Sequence, residues 1–274
     1  MGTYVTIASA RRTSGVKVGE INDTDVEAII TECEPQIERF YNTVFTPKTR
    51  IEVRDGNDTS RIILRNNPVL SVRELKIDGN TEDPANLNIY RGSGKIELST
   101  SSSTSLFIGK SKAIVIKYVY GFLEESKTVL TTTSAAEVAG TNVSIAVGSI
   151  TGLASGDWVD IYGMDGHQES AQINATPSAG AIQVDQLIYS HEAGSTVVKL
   201  EISENFRKLM NYAVAISMVA RLVGQSYKDK TGYGLGELNV QKGEPYTQWR
   251  ETATQLIRER DLIMGAIKPR PCVM

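Results

Sequence analysis

The sequence predicts an α+β protein, a short helical bundle with an antiparallel β-hairpin sheet, plus an inserted all-β domain of barrel or sandwich type. Three stretches with apolar residues at helical spacing predict the bundle. A two-residue period of Ile and Tyr near position 115 predicts the sheet. A window rich in Thr, Ser, Ala and Gly predicts the inserted domain. With 274 residues, the chain can hold one large or two modest domains.

The sheet is predicted over residues 50–122. Its last strand, 113–122, has Ile and Tyr at every second position, which is typical of a half-buried strand. The dipeptides Asp55-Gly56 and Asp78-Gly79 favour the positive φ angles of tight hairpins. The first therefore predicts a hairpin between strands at 50–54 and 61–65.

The first helix is predicted over residues 24–45. Thr24 and Glu27 have the spacing of a capping box, in which each side chain bonds the other residue's backbone amide. Pro35 should kink this helix or divide it into two short ones. Residues 1–20 contain scattered polar groups and read as an arm or a short strand.

Two further helices are predicted over 203–226 and 244–266, and Ser203 can cap the first of them. The polar segment between them contains Gly232-x-Gly234-x-Gly236. This spacing fits neither a phosphate-binding P-loop nor a dinucleotide site, so it predicts a flexible loop.

The inserted domain is predicted over residues 128–200, which divides the remaining chain into 1–127 and 201–274. Residues 128–198 contain seven acids and no Lys or Arg, although the chain has 29 such cations. The window therefore carries −7, and the rest of the chain +4. Short apolar runs joined by Gly and Ser are typical of a small all-β domain.

Charge and cysteine content exclude several classes. A formal charge of −3 and a pI near 5.6 argue against a strongly basic nucleic-acid binder. Cys33 and Cys272 lie too far apart for a disulfide framework or a CxxC zinc site. This pattern fits synthesis in a reduced, cytosolic compartment. Cys33 lies within the apolar stripe of the first helix and is interpreted as a small buried hydrophobe.

The sheet region also shows a family resemblance. Its motifs are NPVLSV at 67–72, IDG at 77–79, Tyr90 with GKI at 94–96, and YVYGF at 118–122. This pattern resembles the head–tail connector proteins (adaptor or head-completion proteins) of tailed bacteriophages, over roughly residues 20–122 and 202–265. The resemblance implies a helical bundle with a β-hairpin sheet, assembled in a ring, commonly twelve-fold, beneath the portal.

The function implied by this resemblance is structural. The chain would form an oligomeric ring in the phage neck, join the portal to a stopper or tail-completion protein, and let DNA pass without sequence-specific binding. It would be a virion protein made in the host bacterial cytoplasm, with no enzymatic activity and no cofactor. About 75 residues intervene where the family usually passes directly from its Tyr-Gly-Phe strand end to a helix, which leaves the role of the insert open.

The partner interface is expected at the C-terminal end of the chain. Two prolines two residues apart favour an extended segment after the last helix, and the chain ends on apolar residues. The resemblance implies that C-terminal elements hold such proteins on the portal. The residues expected to contact a partner are Tyr246, Trp249, Lys268, Pro269, Arg270, Pro271, Val273 and Met274.

Two other functions are weighed from residues in the insert. Imidazole and carboxylate groups are suitable metal ligands or hydrolase residues, but with only two histidines on separate segments, solvated turn residues are favoured. A sugar-binding platform could use Trp158, Tyr162 and Tyr189. Trp158 and Tyr162 share one face of a strand, which favours a buried aromatic core instead. The candidate polar residues are Asp165, His167, Glu169, His191 and Glu192.

Overall fold

A computed structural model describes residues 4–41, 44–229 and 245–266. The chain divides into a helical unit, formed by the residues before 42 and after 203, and a β unit that ends at Ile202. Helices and antiparallel sheets occupy separate segments, so the predicted α+β class is confirmed. The glycine-rich segment at 232–236 and the tail beyond 266 lie outside the described residues.

The helical unit is built around its third helix. The helices are α1 (Ile7–Ser14), α2 (Asp23–Tyr41), α3 (Glu204–Asp229) and α4 (Pro245–Ala266). Each of the other three helices contacts α3, which buries Phe206, Leu209 and Met210. The three predicted helices are confirmed with shifted ends. None of the described helices is long and apolar enough to cross a membrane.

The first helix, α1, was not predicted, and the expectation of an arm or short strand is wrong for residues 7–14. Thr6 and Ser9 form a capping box at its start, and Gly15 ends it with a φ of 73°. Isolated helices of this length are marginal. The caps of α1 are local interactions, whereas its contact with α3 is tertiary. Both stabilise the helix.

The second helix, α2, begins two residues earlier than its predicted cap implies. The Asn22 side chain accepts a hydrogen bond from the Asp25 amide at 2.8 Å, so Asn22 caps the helix and the predicted Thr24–Glu27 box is wrong. The helix runs through Pro35 without dividing. Cys33 is buried with its Sγ 3.4 Å from Ser217 Oγ, as expected for a small core residue, and burial raises the pKa of its thiol.

The first half of the β unit contains seven strands in two sheets. They are β1 (Lys48–Arg54), β2 (Arg61–Ile63), β3 (Val69–Ile77), β4 (Asn80–Glu82), β5 (Leu87–Tyr90), β6 (Lys95–Leu98) and β7 (Ile114–Tyr120). One antiparallel sheet has the order β1-β7-β3-β4 and the other has the order β2-β6-β5. Both sheets contribute to a single apolar core around Ile96, Phe107 and Ile116.

The second half of the β unit contains six strands, and we call residues 124–201 the β module. Its strands are β8 (Glu124–Thr132), β9 (Gly140–Ala146), β10 (Trp158–Tyr162), β11 (Gln168–Gln172), β12 (Ala181–Leu187) and β13 (Thr196–Glu201). A four-stranded sheet, β11-β10-β13-β8, and a two-stranded ribbon, β12-β9, share a second apolar core. The strands of this segment do not close into a barrel.

The two predicted hairpins have different outcomes. Asp78 and Gly79, with φ of 50° and 84°, connect β3 directly to β4, so this hairpin is confirmed. The hairpin at Asp55-Gly56 is wrong, because β1 pairs with β7 and β2 pairs with β6. Gly56 lies against the backbone of Ile108, where a Cβ atom would overlap the Ile108 carbonyl group. Close backbone approach, rather than a tight turn, therefore requires this glycine.

We expect Gly56→Ala to destabilise the protein by about 1–3 kcal/mol or more, because its methyl group would force the loop that contains Ile108 away from the sheet. Thermal or chemical unfolding of the purified chain measures the effect. Gly19→Ala is the matched control, since a Cβ at Gly19 would meet nothing within 4 Å. Equal stability of the two variants would contradict the assigned role of Gly56.

Candidate interaction surfaces

Arg91 forms the main polar contact between the β module and the preceding sheets. It follows β5 directly, and its Nη1 donates to Asp160 Oδ2 at 2.6 Å. Its Nη2 donates to Asp160 Oδ1 at 3.0 Å, to Ser170 Oγ at 2.5 Å and to the Leu70 carbonyl at 3.2 Å. The two guanidinium–carboxylate bonds form a bidentate pair, which fixes both distance and orientation.

The alternation of β10 explains why a carboxylate meets Arg91. Val159 and Ile161 point into the core of the β module, so Asp160 points to the opposite face, together with Trp158 and Tyr162. The side chain of Asp160 is only 3% exposed, against 22% for Arg91. A carboxylate buried to this extent requires a charged or hydrogen-bonding partner.

Trp158 and Tyr162 are therefore not part of the core of the β module, and the prediction of a buried aromatic core is wrong for them. Both are half-buried. The guanidinium carbon of Arg73, on β3, lies 6.0 Å from the centre of the Trp158 ring. The Tyr162 hydroxyl donates to Glu125, and burial raises the pKa of this tyrosine.

Arg73 makes a second charged contact with the β module. Its Nη2 lies 2.8 Å from Asp185 Oδ2, and its Nη1 is 3.4 Å from the carbonyl of Gln186. The side chain is 7% exposed. The Tyr189 hydroxyl adds a neutral hydrogen bond to the Leu87 carbonyl at 3.2 Å. The β module is thus held on the first sheets at three separate points.

The two ends of the β module lie side by side. Glu124 pairs with Glu201, and Glu125 pairs with Leu200, in the antiparallel ladder of β8 and β13. The chain therefore leaves this segment next to the place where it enters. This arrangement is compatible with an insertion. The predicted boundaries of a separate domain at 128–200 stay a prediction.

The histidine and carboxylate residues occupy two different environments. His191 and Glu169 are buried and joined by a contact of 2.7 Å between Nε2 and Oε1, so the prediction of solvated turn residues is wrong for them. Glu169 also accepts hydrogen bonds from the amides of Ile188 and Tyr189, at 2.6 and 3.0 Å. Both oxygens of Glu169 thus have hydrogen-bond partners, which is typical of a structural carboxylate.

His167 and Asp165 are exposed, as predicted. The His167 ring stacks on Tyr189 with centroids 4.3 Å apart, and the backbone amide and ring of His167 hydrogen-bond Asp165. These bonds hold the pKa of Asp165 below its usual value. Within the described residues, no three His, Cys, Asp or Glu side chains form a metal-binding group.

The aromatic residues of the proposed sugar platform do not share an open surface. Trp158 faces Arg73, Tyr162 bonds Glu125, and His167 covers one face of the Tyr189 ring. A stacking platform requires exposed aromatic faces. The geometry gives no support to sugar binding.

A cleft of about 340 Å³ lies beside the Arg91 contact. Strands β3 and β5 form one wall, and residues 166–169 and 188–189 of the β module form the other. Ser71 Oγ is buried at this cleft and has no hydrogen-bond partner within the described part of the chain. The cleft belongs to the same junction as Arg91 and Arg73.

The predicted C-terminal contact residues are only partly described. Trp249 lies on α4 and is half-buried. Tyr246 belongs to the same helix, but its side chain lies outside the described part of the structure. Lys268, Pro269, Arg270, Pro271, Val273 and Met274 also lie outside the described residues.

Sequence reasoning missed the pairs that Arg91 and Arg73 form with Asp160 and Asp185. One signal was available, because residues 128–198 lack Lys and Arg while three of their acids lie on strands. Buried acids in such a segment must find cations elsewhere in the chain. The sequence does not determine which of the remaining cations pair with these acids.

Comparison with known proteins supports the resemblance found in the sequence. Residues 6–133 match the sequence profile of the family described as Head completion protein. The matched segment extends from α1 to the end of β8 and includes both Arg73 and Arg91. It does not include the part of the resemblance at 202–265. No curated protein matches the chain.

We expect Arg91→Ala to destabilise the β unit by about 3 kcal/mol, because it leaves the buried carboxylate of Asp160 without its cation. Unfolding monitored by near-ultraviolet circular dichroism or calorimetry measures this change. Arg61→Ala is the control, since Arg61 pairs with Glu97 on the surface and is 62% exposed. It should leave the unfolding midpoint nearly unchanged.

The double variant R91A/D160A tests the same pair further. It removes both charges, so its destabilisation should be smaller than the sum of those of the two single variants. Additive effects would show that the two residues do not act as a pair.

Proposed function

We propose, from the match of residues 6–133 to the head completion protein family, that the chain is a structural subunit of the neck of a tailed phage. It assembles with copies of itself into a ring, twelve-fold by resemblance to the connector proteins. The ring joins the portal to a stopper or tail-completion protein. DNA passes through it without sequence-specific contacts.

The family match is the observation that carries this proposal. The fold is compatible with it, because a ring subunit acts through the shape and area of its surfaces and not through chemistry. The paired polar groups described above support this interpretation. Asp160, Asp185 and Glu169 each contact a cation or a histidine of the same chain, so they hold the fold together.

The β module has a structural role in this proposal. Its strands β9 to β13 lie between the matched segment and α3 in the chain, and its first and last strands pair with each other. Arg73 and Arg91, which belong to the family segment, hold it in a fixed orientation on that segment. A module held in this way projects a defined surface from each subunit of a ring.

The C-terminal residues make the portal contact in this proposal. Deleting residues 268–274 should leave the melting temperature of the chain unchanged and abolish co-sedimentation with portal rings. Burial of Val273 and Met274 contributes about 1.5–3 kcal/mol each, and repetition around a ring multiplies the effect by avidity. A control in which a Gly-Ser tail of equal length replaces residues 268–274 separates the effect of the tail's sequence from the effect of its length. A truncated chain that melts several degrees lower would assign the tail to its own core.

The insertion is tested by excision of residues 128–200. Because β8 and β13 lie side by side, a short Gly-Ser linker can join the cut ends. We expect the shortened chain to keep its helical circular dichroism and a cooperative unfolding transition. In a second shortened chain, Arg73 and Arg91 are also replaced by Gln, because excision leaves these two cations unpaired. A molten state in both shortened chains would contradict the insertion.

A further inference from the structure

Two exposed surfaces of the β unit have complementary properties. The first is an open groove of about 840 Å³ that runs between β1 and β2. Its lining contains one acid, Asp55, and five cations. We call it the basic groove and define it by these cations, which are Arg54, Arg61, Arg65, Lys95 and Lys112.

The basic groove also exposes apolar side chains. Val53 and Ile63 lie in its lining and are 52% and 43% exposed. Arg61 and Lys95 share Glu97 as an ion-pair partner. Arg65 and Lys112 are exposed and form no ion pair within the described part of the chain. The groove therefore has positive charge that its own acids do not neutralise.

The second surface lies at one end of the β module. Val138 and Met164 are 74% and 76% exposed there. We call this surface the acidic tip and define it by Val138, Met164, Asp165 and Glu192.

Three loops meet at the acidic tip. The backbones of Glu137 and His191 exchange two hydrogen bonds, of 2.7 and 2.9 Å, so the loop that carries Val138 lies beside the loop that carries Glu192. A Cβ added to Gly163 would lie 3.1 Å from His191 Nδ1, so the loop that carries Met164 and Asp165 lies against the same histidine.

The charge of the acidic tip is not neutralised within the β module. Cations of the chain pair with Asp160, Asp185 and Asp157. Asp165 hydrogen-bonds His167 and is 46% exposed, and Glu192 is exposed too, with no ion pair to a Lys or Arg of the described residues for either carboxylate. The tip is thus acidic and apolar, while the groove is basic and apolar.

We propose that the acidic tip of one copy docks in the basic groove of the neighbouring copy. The proposal rests on the self-association proposed above and names the two faces that meet. Opposite charges favour the encounter and exclude groove–groove and tip–tip contacts, which would place like charges together. Because the two faces differ, the contact is head-to-tail, and such contacts generate rings when the rotation closes.

The test uses two variants of the full-length chain. The groove variant is R65E/K112E, which lowers the net charge of the groove lining from +4 to zero. The tip variant is V138R/E192R, which makes the tip basic and removes one apolar side chain. All four positions are exposed, so both variants should fold with the wild-type melting temperature. Sedimentation velocity measures the oligomeric state, with the chain alone and with portal rings.

Each variant by itself should remain monomeric under conditions in which the wild type self-associates. An equimolar mixture should form a dimer that does not grow further. In that mixture, the intact tip of the groove variant meets the intact groove of the tip variant, and the remaining two faces are both altered. Wild-type association should also weaken as salt is raised from 0.05 to 0.5 M, since about 0.15 M already screens exposed charges beyond 8 Å.

The control variant is K17E/K127E, which carries the same change of charge as the groove variant at exposed positions outside both surfaces. It should associate like the wild type. Groove and tip variants that oligomerise like the wild type would overturn this inference without contradicting the proposed ring. An equimolar mixture of the two variants that stays monomeric would do the same. A wild type that associates neither alone nor on portal rings would overturn both proposals. A groove variant that assembles but no longer binds the portal would assign the groove to the portal and overturn the inference.

Discussion

The buried pair of Arg91 and Asp160 fixes the relation between the two halves of the β unit. Each half has its own apolar core, and the two cores share no residues. The junction between them is polar, with two arginines from the first half and two aspartates from the second. Apolar contacts are non-directional, whereas a bidentate guanidinium–carboxylate pair permits only a narrow range of orientations. The pair thus determines the orientation of the β module on the first sheets.

This junction also sets the charge distribution of the surface. The β module has a large excess of acids, and the cations of the first sheets bind two of them, Asp160 and Asp185. Asp165 and Glu192 of the module, and Arg65 and Lys112 of the basic groove, are left on separate exposed surfaces. A subunit with unlike faces of opposite charge is suited to head-to-tail assembly, which a ring requires. The same salt bridges that hold the subunit together therefore determine which charges are available to a neighbour.

The family match and the structure give different kinds of information about function. The match covers 6–133, from α1 to β8, and shows that this segment is similar to the head completion family. It says nothing of the other five strands of the β module or of α3 and α4. The structure shows that the matched segment supplies Arg73 and Arg91, the cations that hold the β module. The additional module is therefore attached through residues of the family segment, and its orientation depends on them.

The sequence by itself determined the α+β class, the three long helices, the Asp78-Gly79 hairpin, the burial of Cys33 and the family. These features follow from local signals such as apolar periodicity and turn residues, which act over a few positions. Only the tertiary structure decided that α1 is a helix, that β1 pairs with β7 instead of β2, and that His191 and Glu169 are buried together. The partners of Asp160 and Asp185 lie 69 and 112 residues away in the chain. Alternation places Asp160 and Trp158 on one face of β10, but it does not say which face lies against the core. That choice depends on the positions of Val159 and Ile161, whose burial in the core of the module leaves Asp160 facing Arg91.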